Sequence, residues 1–290
     1  MSARHLALTV ALLLGGALPA GAQDSEEDAF SKIPWQTGPM LGDLGTEAQV
    51  AVPDDCAFTG ADGTRQFMEL NENPVSGIER GTVLCRIVDA NGDTESTWFV
   101  VFEFDDSGYV KDDEKESLDG DAILARLKEG NEHGNRERKK RGWDAIYLDG
   151  WQAAPHYDER TRNLTWATRL HDETNSQILN HSVRLLGRGG VMSADLVVSP
   201  AYYEQALPVF NGVIGEFEYK TGHTYAEWRE GDKIASYGLT ALVAGGAGVV
   251  LAKTGLLQKF GKAIVLALAA GVAALRKLLF GRGKDSTAHA

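Results

Sequence analysis

The chain has 290 residues, 43% of them hydrophobic, and a formal net charge of −12 at pH 7. Residues 23–233 hold 21 of the 29 Lys+Arg and 40 of the 41 Asp+Glu, a net of −19, while residues 234–290 carry a net of +6. So acidic a body excludes general nucleic-acid binding, which needs a basic footprint to displace counterions, whereas a basic, apolar end suits an anionic membrane surface.

In chain order, Arg4 and His5 precede an apolar core from Leu6 to Leu18, and Ala20-Gly21-Ala22 follows as a small-x-small cleavage site. That is the layout of a secretory signal peptide, with a core too short to span comfortably, so residues 1–22 are set aside from the fold. Residues 23–47 open acidic and turn rich in Gly and Pro, which reads as a flexible lead-in. Short strands are expected at Ala48–Val52 and Cys56–Thr59, then a helix at Thr64–Leu70 that the residue before Pro74 helps to stop. Cys56 and Cys85 are the only cysteines. In an exported chain they form one disulfide or remain two buried thiols, and no nearby spacing suits zinc.

Thr82–Val88 and Thr97–Phe104 are rich in β-branched and aromatic residues and flank Asn91-Gly92, a strong hairpin signal. The same loop lacks the glycine position of a calcium-binding loop. After the charged connector Asp105–Glu116, a helix starting near Ser117 or Asp119 buries Ile123, Leu124 and Leu127 and runs to Arg141. Its last turns carry Arg136, Arg138, Lys139, Lys140 and Arg141, the one basic patch on the acidic body. This patch reads as a solvated helix end or as a contact for lipid headgroups or an acidic partner. Strands are expected at Ala145–Trp151, Asn163–His171, Ile178–Leu186 and Val191–Val198, with a turn over Pro155–Thr161. A helix over Tyr202–Ile214 and short strands at Glu216–Tyr219 and Tyr225–Trp228 complete the body. The expected fold class is α+β, a mainly antiparallel sheet over residues 48–233 with the helices near 119–141 and 202–214 covering one face, followed by C-terminal transmembrane helices.

The apolar run Ile234–Ala252 is 19 residues, about 28 Å as a helix, and Ala263–Phe280 is 18 residues, about 27 Å, with the basic connector 253–262 between them and a tail over 281–290. Ala244, Gly248 and Ala252 give the first run a small-residue face for packing another helix. With the body outside, the first run crosses inward and Lys253, Lys259 and Lys262 land in the cytoplasm, as the positive-inside rule prefers. The second run then either returns, leaving Arg276, Lys277, Arg282 and Lys284 outside against the rule, or lies along the inner surface, keeping every basic residue inside with its apolar middle poorly buried; the hairpin of two crossings is the favoured reading.

Several ordered segments resemble a bacterial family of predicted membrane-anchored proteins that carry a domain of unknown function. They are Gly108-Tyr-Val-Lys-Asp-Asp-Glu114, Asn135-Arg-Glu-Arg-Lys-Lys-Arg-Gly-Trp143, Gly150-Trp151, Pro155-His-Tyr-Asp158, Asn163-Leu-Thr-Trp-Ala167, Ser182-Val-Arg-Leu-Leu-Gly-Arg188, Gly231-Asp-Lys233 and Tyr237–Gly246. The resemblance runs from about Gly38 to the second apolar run and implies a bacterial envelope protein; together with the signal peptide and the apolar end, it leads one to expect an inner-membrane protein with its main domain on the periplasmic side. It brings no activity and no catalytic residues. It leads one to expect Tyr where this chain has His181, which argues against catalysis there.

Two classes of function stay open. The aromatic cluster Trp143, Trp151, Tyr157 and Trp166 reads first as core and edge packing and second as a groove for a peptide or glycan. A membrane-tethered interaction module would use that cluster with His156, or the basic patch, to meet another envelope protein. A hydrolase would pair His156 with a carboxylate such as Asp158, on one turn. No residue pattern calls for a metal or a cofactor.

Overall fold

A computed structural model describes residues 29–91 and 94–244. The signal peptide at 1–22, the connector 253–262, the second apolar run 263–280 and the tail 281–290 lie outside those residues, as do Gly248 and Ala252.

Eleven strands and four helices are described. The strands are β1 (Gln36–Thr37), β2 (Met40–Leu44), β3 (Ala48–Val52), β4 (Cys56–Gly60), β5 (Glu79–Val88), β6 (Thr94–Asp105), β7 (Ile146–Asp158), β8 (Asn163–Asp172), β9 (Gln177–Leu186), β10 (Val191–Val198) and β11 (Phe217–Tyr219). The helices are α1 (Ala61–Leu70), α2 (Gly120–Lys140), α3 (Tyr203–Gly215) and α4 (Leu239–Val243). Eight strands make one antiparallel sheet in the order β1-β4-β5-β6-β10-β9-β8-β7, so that two meanders meet where β6 pairs with β10. A small sheet, β11-β3-β2, lies apart from it.

Alternation along the central strands sends side chains to two buried faces. On the first face Phe58, Val83, Trp98, Val100, Phe102, Met192 and Leu196 pack against Leu44, Val50 and Val52 of the small sheet and Ala206, Phe210 and Val213 of α3. The second face holds two separate clusters. Leu84, Phe99 and Val101 meet Phe67 of α1, and Leu164, Trp166, Leu186 and Val191 meet Ile123 of α2 and Leu239, Leu242 and Val243 of α4. The helices at 120–140 and 203–215 therefore cover opposite faces, not one. Both faces of the sheet are apolar, so each needs its own cover.

Cys56 and Cys85 stand opposite each other in β4 and β5 and are joined in a disulfide with 4.1 Å between their Cα atoms. The residues read as a flexible lead-in begin the fold instead. Ile33 is buried under α1. β1 edges the large sheet on a partner about 20 residues on, in β4, whereas β2 edges the small sheet as a hairpin with β3 that turns at Gly45 (φ +82°). Tyr225–Glu227 is a 3₁₀ turn rather than a strand, closed by a capping box between Thr224 and Glu227.

The largest local difference concerns Pro155–Asp158, expected in a turn but forming the end of β7. β7 is the last strand of the sheet, so Pro155 withholds no ladder donor that a neighbour needs, and register shifts at Leu148/Gly150, Trp151/Ala153 and Ala153/His156 absorb the irregularity. The outer edge of β7 is covered by α2. Asn135 donates to Ile146 O (2.9 Å) and accepts from Ile146 N (3.0 Å); Asn131 donates to Ile146 O (2.8 Å) and accepts from Leu148 N (3.2 Å). Two carboxamides one helical turn apart thus satisfy an open strand edge that would otherwise template pairing with other chains. Alanine at both positions is expected to cost about 2 kcal/mol and to speed concentration-dependent aggregation, measured by urea unfolding and light scattering; unchanged values in both would refute the edge-cover role.

Candidate functional site at the root of the C-terminal segment

The connector between β6 and α2 grips the chain where the first apolar run begins. Gly108 has φ +104°, and a Cβ there would stand 2.8 Å from Lys233 O, so only glycine lets the two backbones close. Tyr109 N donates to Lys233 O (2.8 Å) and Ala235 N to Tyr109 O (2.9 Å), a short parallel bridge. Lys233 Nζ donates to Asp106 O at 2.6 Å, and Tyr237 Oη to Asp105 Oδ2 at 2.7 Å. The Glu114 carboxylate accepts from Thr240 N (2.8 Å) at the start of α4, and a Cβ on Gly238 would lie 2.6 Å from that carboxylate. Burial, then the hydrogen bond to Asp105, raises the Tyr237 phenol, keeping it a neutral donor.

Further contacts around Asp232, Asp112 and Tyr109 fix the same region. Arg188 binds Asp232 with both ends of its fork (2.7 and 2.8 Å). Asp232 also accepts from Arg229 N (2.8 Å), and these bonds, Arg188's first, hold its carboxyl down at about 2. Asp112 accepts from Tyr157 Oη (3.1 Å) and Arg162 Nη1 (2.9 Å). Tyr109 stacks on Tyr225 with ring centres 4.3 Å apart and lies 5.5 Å from Trp228, and Tyr225 Oη donates to Val110 O (3.0 Å). Segments 108–114, 155–158, 182–188, 231–233 and the start of 237–246, which carried the family resemblance, converge here.

The apolar run is consequently not one helix from Ile234. Residues 234–238 are non-helical, the helix starts at Leu239, and Leu239, Leu242, Val243 and Ala244 are buried. Ala244, the first residue of the small-residue face, is the last described residue and is buried, while Gly248 and Ala252 lie outside the described residues. Among the described residues no helix is long and apolar enough to cross a membrane.

The predicted site residues separate. Trp151, Tyr157 and Trp166 pack in the cluster beneath α4, and Trp151 Nε1 donates to Gly120 O (3.2 Å). Trp143 stands elsewhere, between the guanidiniums of Arg138 (5.7 Å) and Arg141 (4.9 Å). His156 is exposed, with Nδ1 3.4 Å from Ala154 O, in a depression of about 290 Å³ that Lys115, Tyr157 and Glu159 also line. Asp158 instead accepts from the amides of Arg160 (2.8 Å) and Thr161 (3.2 Å) and shapes the β7–β8 turn. In the basic patch, Arg138 is committed to the fold: it donates to Asp144 O (2.5 Å) and Glu72 O (2.8 Å) and reaches the Glu72 carboxylate at 3.4 Å. Lys140 pairs with Glu137 at 2.6 Å, and Arg136, Lys139 and Arg141 are exposed.

Sequence reading passed over a polar strip on the second face of the sheet. Asp195 accepts from Ser182 Oγ (2.5 Å) and Arg184 Nη1 (2.9 Å), and Arg184 lies 4.7 Å from the Trp166 ring. Glu103 is pushed up to about 7, chiefly by burial and then by Asp195. A lone charge inside Trp98–Phe104 was the available signal. On the opposite face His181 Nδ1 lies 2.8 Å from Tyr203 Oη, and burial followed by His156 pushes the imidazole down to about 4. Among the described residues, no group of three or more His, Cys, Asp or Glu is placed to hold a metal ion.

The family described as "Protein of unknown function (DUF2167)" matches residues 36–276. Among solved structures the chain is similar to the solution structure of cyanobacterial PsbP (CyanoP) from Synechocystis sp. PCC 6803, with 12% identity and a TM-score of 0.37 over 65% of this chain and 94% of that one. So distant a likeness bears on neither site nor function. No curated protein matches.

Proposed function

We propose that this chain, which belongs to the DUF2167 family of proteins of unknown function, is a membrane-anchored interaction module of the bacterial cell envelope with its folded domain on the extracytoplasmic side. The observation that carries the reading is the grip of residues 105–114 on residues 233–240, which joins the domain rigidly to the root of its apolar C-terminal segment. Export is supported by the signal-peptide pattern at 1–22 and by the Cys56–Cys85 disulfide, a bond that persists in oxidising compartments. The exposed Arg136, Lys139 and Arg141 at the end of α2 are the surface we assign to an acidic envelope partner.

The buried start of the apolar run also favours a different membrane topology from the two-crossing hairpin. With residues up to Ala244 in the domain, only Gly245–Ala252 remains of the first run, eight residues or about 12 Å of helix against a hydrocarbon core of about 30 Å. A single crossing by Ala263–Phe280 is long enough, and it brings Arg276, Lys277, Arg282 and Lys284 to the cytoplasm while leaving Lys253, Lys259 and Lys262 outside, so the positive-inside balance tips its way by four basic residues to three. The test is a pair of reporters fused after Ala290 in a bacterial host. A fluorescent protein that lights up only in the cytoplasm should be bright, and alkaline phosphatase, active only after export, should be silent. The opposite pattern restores the hairpin. Release of the full-length protein from membranes by carbonate overturns anchoring altogether.

A further inference from the structure

We propose that the aromatic face of Tyr109, Tyr225, Trp228 and Ile234 rests on the lipid bilayer at headgroup depth, so that the domain is held in one orientation on its anchor. The inference rests on the anchoring proposed above and names the surface that meets the membrane.

Trp228 and Ile234 are 39% and 47% exposed, yet both are held by the fold. Trp228 ends the 3₁₀ turn closed by the Thr224/Glu227 capping box, and Ile234 sits in the bridge to Tyr109. Tyr109, stacked on Tyr225 and 5.5 Å from Trp228, joins the two into one surface. An exposed, rigidly held Trp suits the bilayer interface, where its ring body is apolar and its N–H reaches water or headgroup oxygens; Tyr109 and Tyr225, partly buried beneath it, support it, with the Tyr225 hydroxyl committed to Val110 O.

The position of this face along the chain identifies its occupant. Ile234 lies ten residues before Ala244, and Tyr225 and Ala235 pack on the cluster that seats α4. Forty-six residues follow Ala244, including the 18-residue apolar run. The face therefore borders the seat of α4, the last described element before the apolar segment. Its charge agrees. On a body of net −19, Arg229 and Lys233 are exposed beside the rings with Glu230 and Asp106, Asp232 is paired with Arg188, and the Glu227 carboxylate is turned onto the Gly222 and Thr224 amides. Anionic headgroups thus meet a mixed surface there rather than the acidic one elsewhere.

The test uses the full chain in vesicles of phosphatidylethanolamine and phosphatidylglycerol. Because Cys56 and Cys85 are joined, a single added cysteine can carry a nitroxide: Ile234→Cys, Trp228→Cys and, as a control on β2, Leu41→Cys, whose native side chain is 56% exposed. Collision with oxygen, which concentrates in lipid, is compared with collision with a water-soluble nickel chelate. The expected result is an oxygen-to-nickel ratio several-fold higher at 228 and 234 than at 41. Equal ratios at all three sites in protein that floats with the vesicles overturn the docking and leave the anchoring standing. Protein that fails to float with the vesicles overturns both. Spin–spin broadening at 228 and 234 with water-like accessibility gives the face to a second copy of the chain and also overturns the proposal.

Discussion

Serine at both Cys56 and Cys85 is expected to lower the free energy of unfolding by about 4 kcal/mol. The disulfide joins residues 29 apart in sequence, and closing a loop of that length removes about 3.6 kcal/mol of chain entropy from the unfolded state at 25 °C. The substituted side chains add a smaller term, because both cysteines are nearly inaccessible (3% and 1% exposed) and a serine hydroxyl there replaces sulfur in an apolar layer with Phe58, Val83 and Trp98. The loop so closed contains α1 and Glu72, the residue that Arg138 of α2 engages, so the bond also steadies a contact across the second face of the sheet. Urea unfolding of the oxidised, reduced and doubly substituted protein separates the contributions. The reduced protein should show most of the loss, and the substituted one slightly more. A loss below about 1 kcal/mol on reduction would mean that the unfolded chain keeps β4 and β5 together without the bond.

Periodicity and turn chemistry placed most of the large sheet. Val191–Val198 stands where alternation put it, β5 and β6 pair antiparallel as the expected hairpin requires, and α2 starts behind Asp119, whose carboxylate accepts from Ala122 N at 3.0 Å. What stayed hidden depends on partners far away in the chain. Gln36–Thr37 forms a strand only because β4, about 20 residues on, offers it an edge, and β11 joins β3 across some 170 residues. Pro155 looked like a turn because its tolerance in β7 depends on that strand being the sheet's edge, a fact of topology. The apolar run from Ile234 teaches the sharpest lesson. Hydropathy reports that Leu239, Leu242 and Val243 avoid water without distinguishing lipid from the protein's own Ile123, Leu164 and Trp166. The site was legible in part. The segments carrying the family resemblance were visible one by one, but their meeting at Tyr109, Asp232 and Glu114 needed the fold.

Glutamine at position 103 is expected to stabilise the protein at pH 8 by about 3 kcal/mol and to leave it unchanged near pH 4. Burial, reinforced by Asp195, raises the Glu103 carboxyl from its ordinary 4.5 to about 7. Between those values the folded protein keeps a proton that the unfolded chain has released, so stability falls as pH rises through 4.5 to 7, by about 1.4 kcal/mol for each unit of difference. His181 works in the opposite direction. Its imidazole, pushed down to about 4 by burial and then by His156, stays neutral in the folded protein while the unfolded chain takes up a proton below about 6.5, so stability falls as pH drops from 6.5 to 4. Across the overlap from 4.5 to 6.5 the two slopes nearly cancel, and their joint contribution to the native protein's stability is almost flat there. Glu103→Gln removes one slope and leaves an acid-sensitive protein that gains stability up to pH 6.5 and holds it above. His181→Asn, whose side chain can keep a hydrogen bond to Tyr203 Oη, removes the other and leaves stability declining from 4.5 to 7. Parallel urea titrations of the three proteins from pH 4 to 8 test this. Slopes that match in all three would show that neither buried group retains its shifted proton affinity in solution.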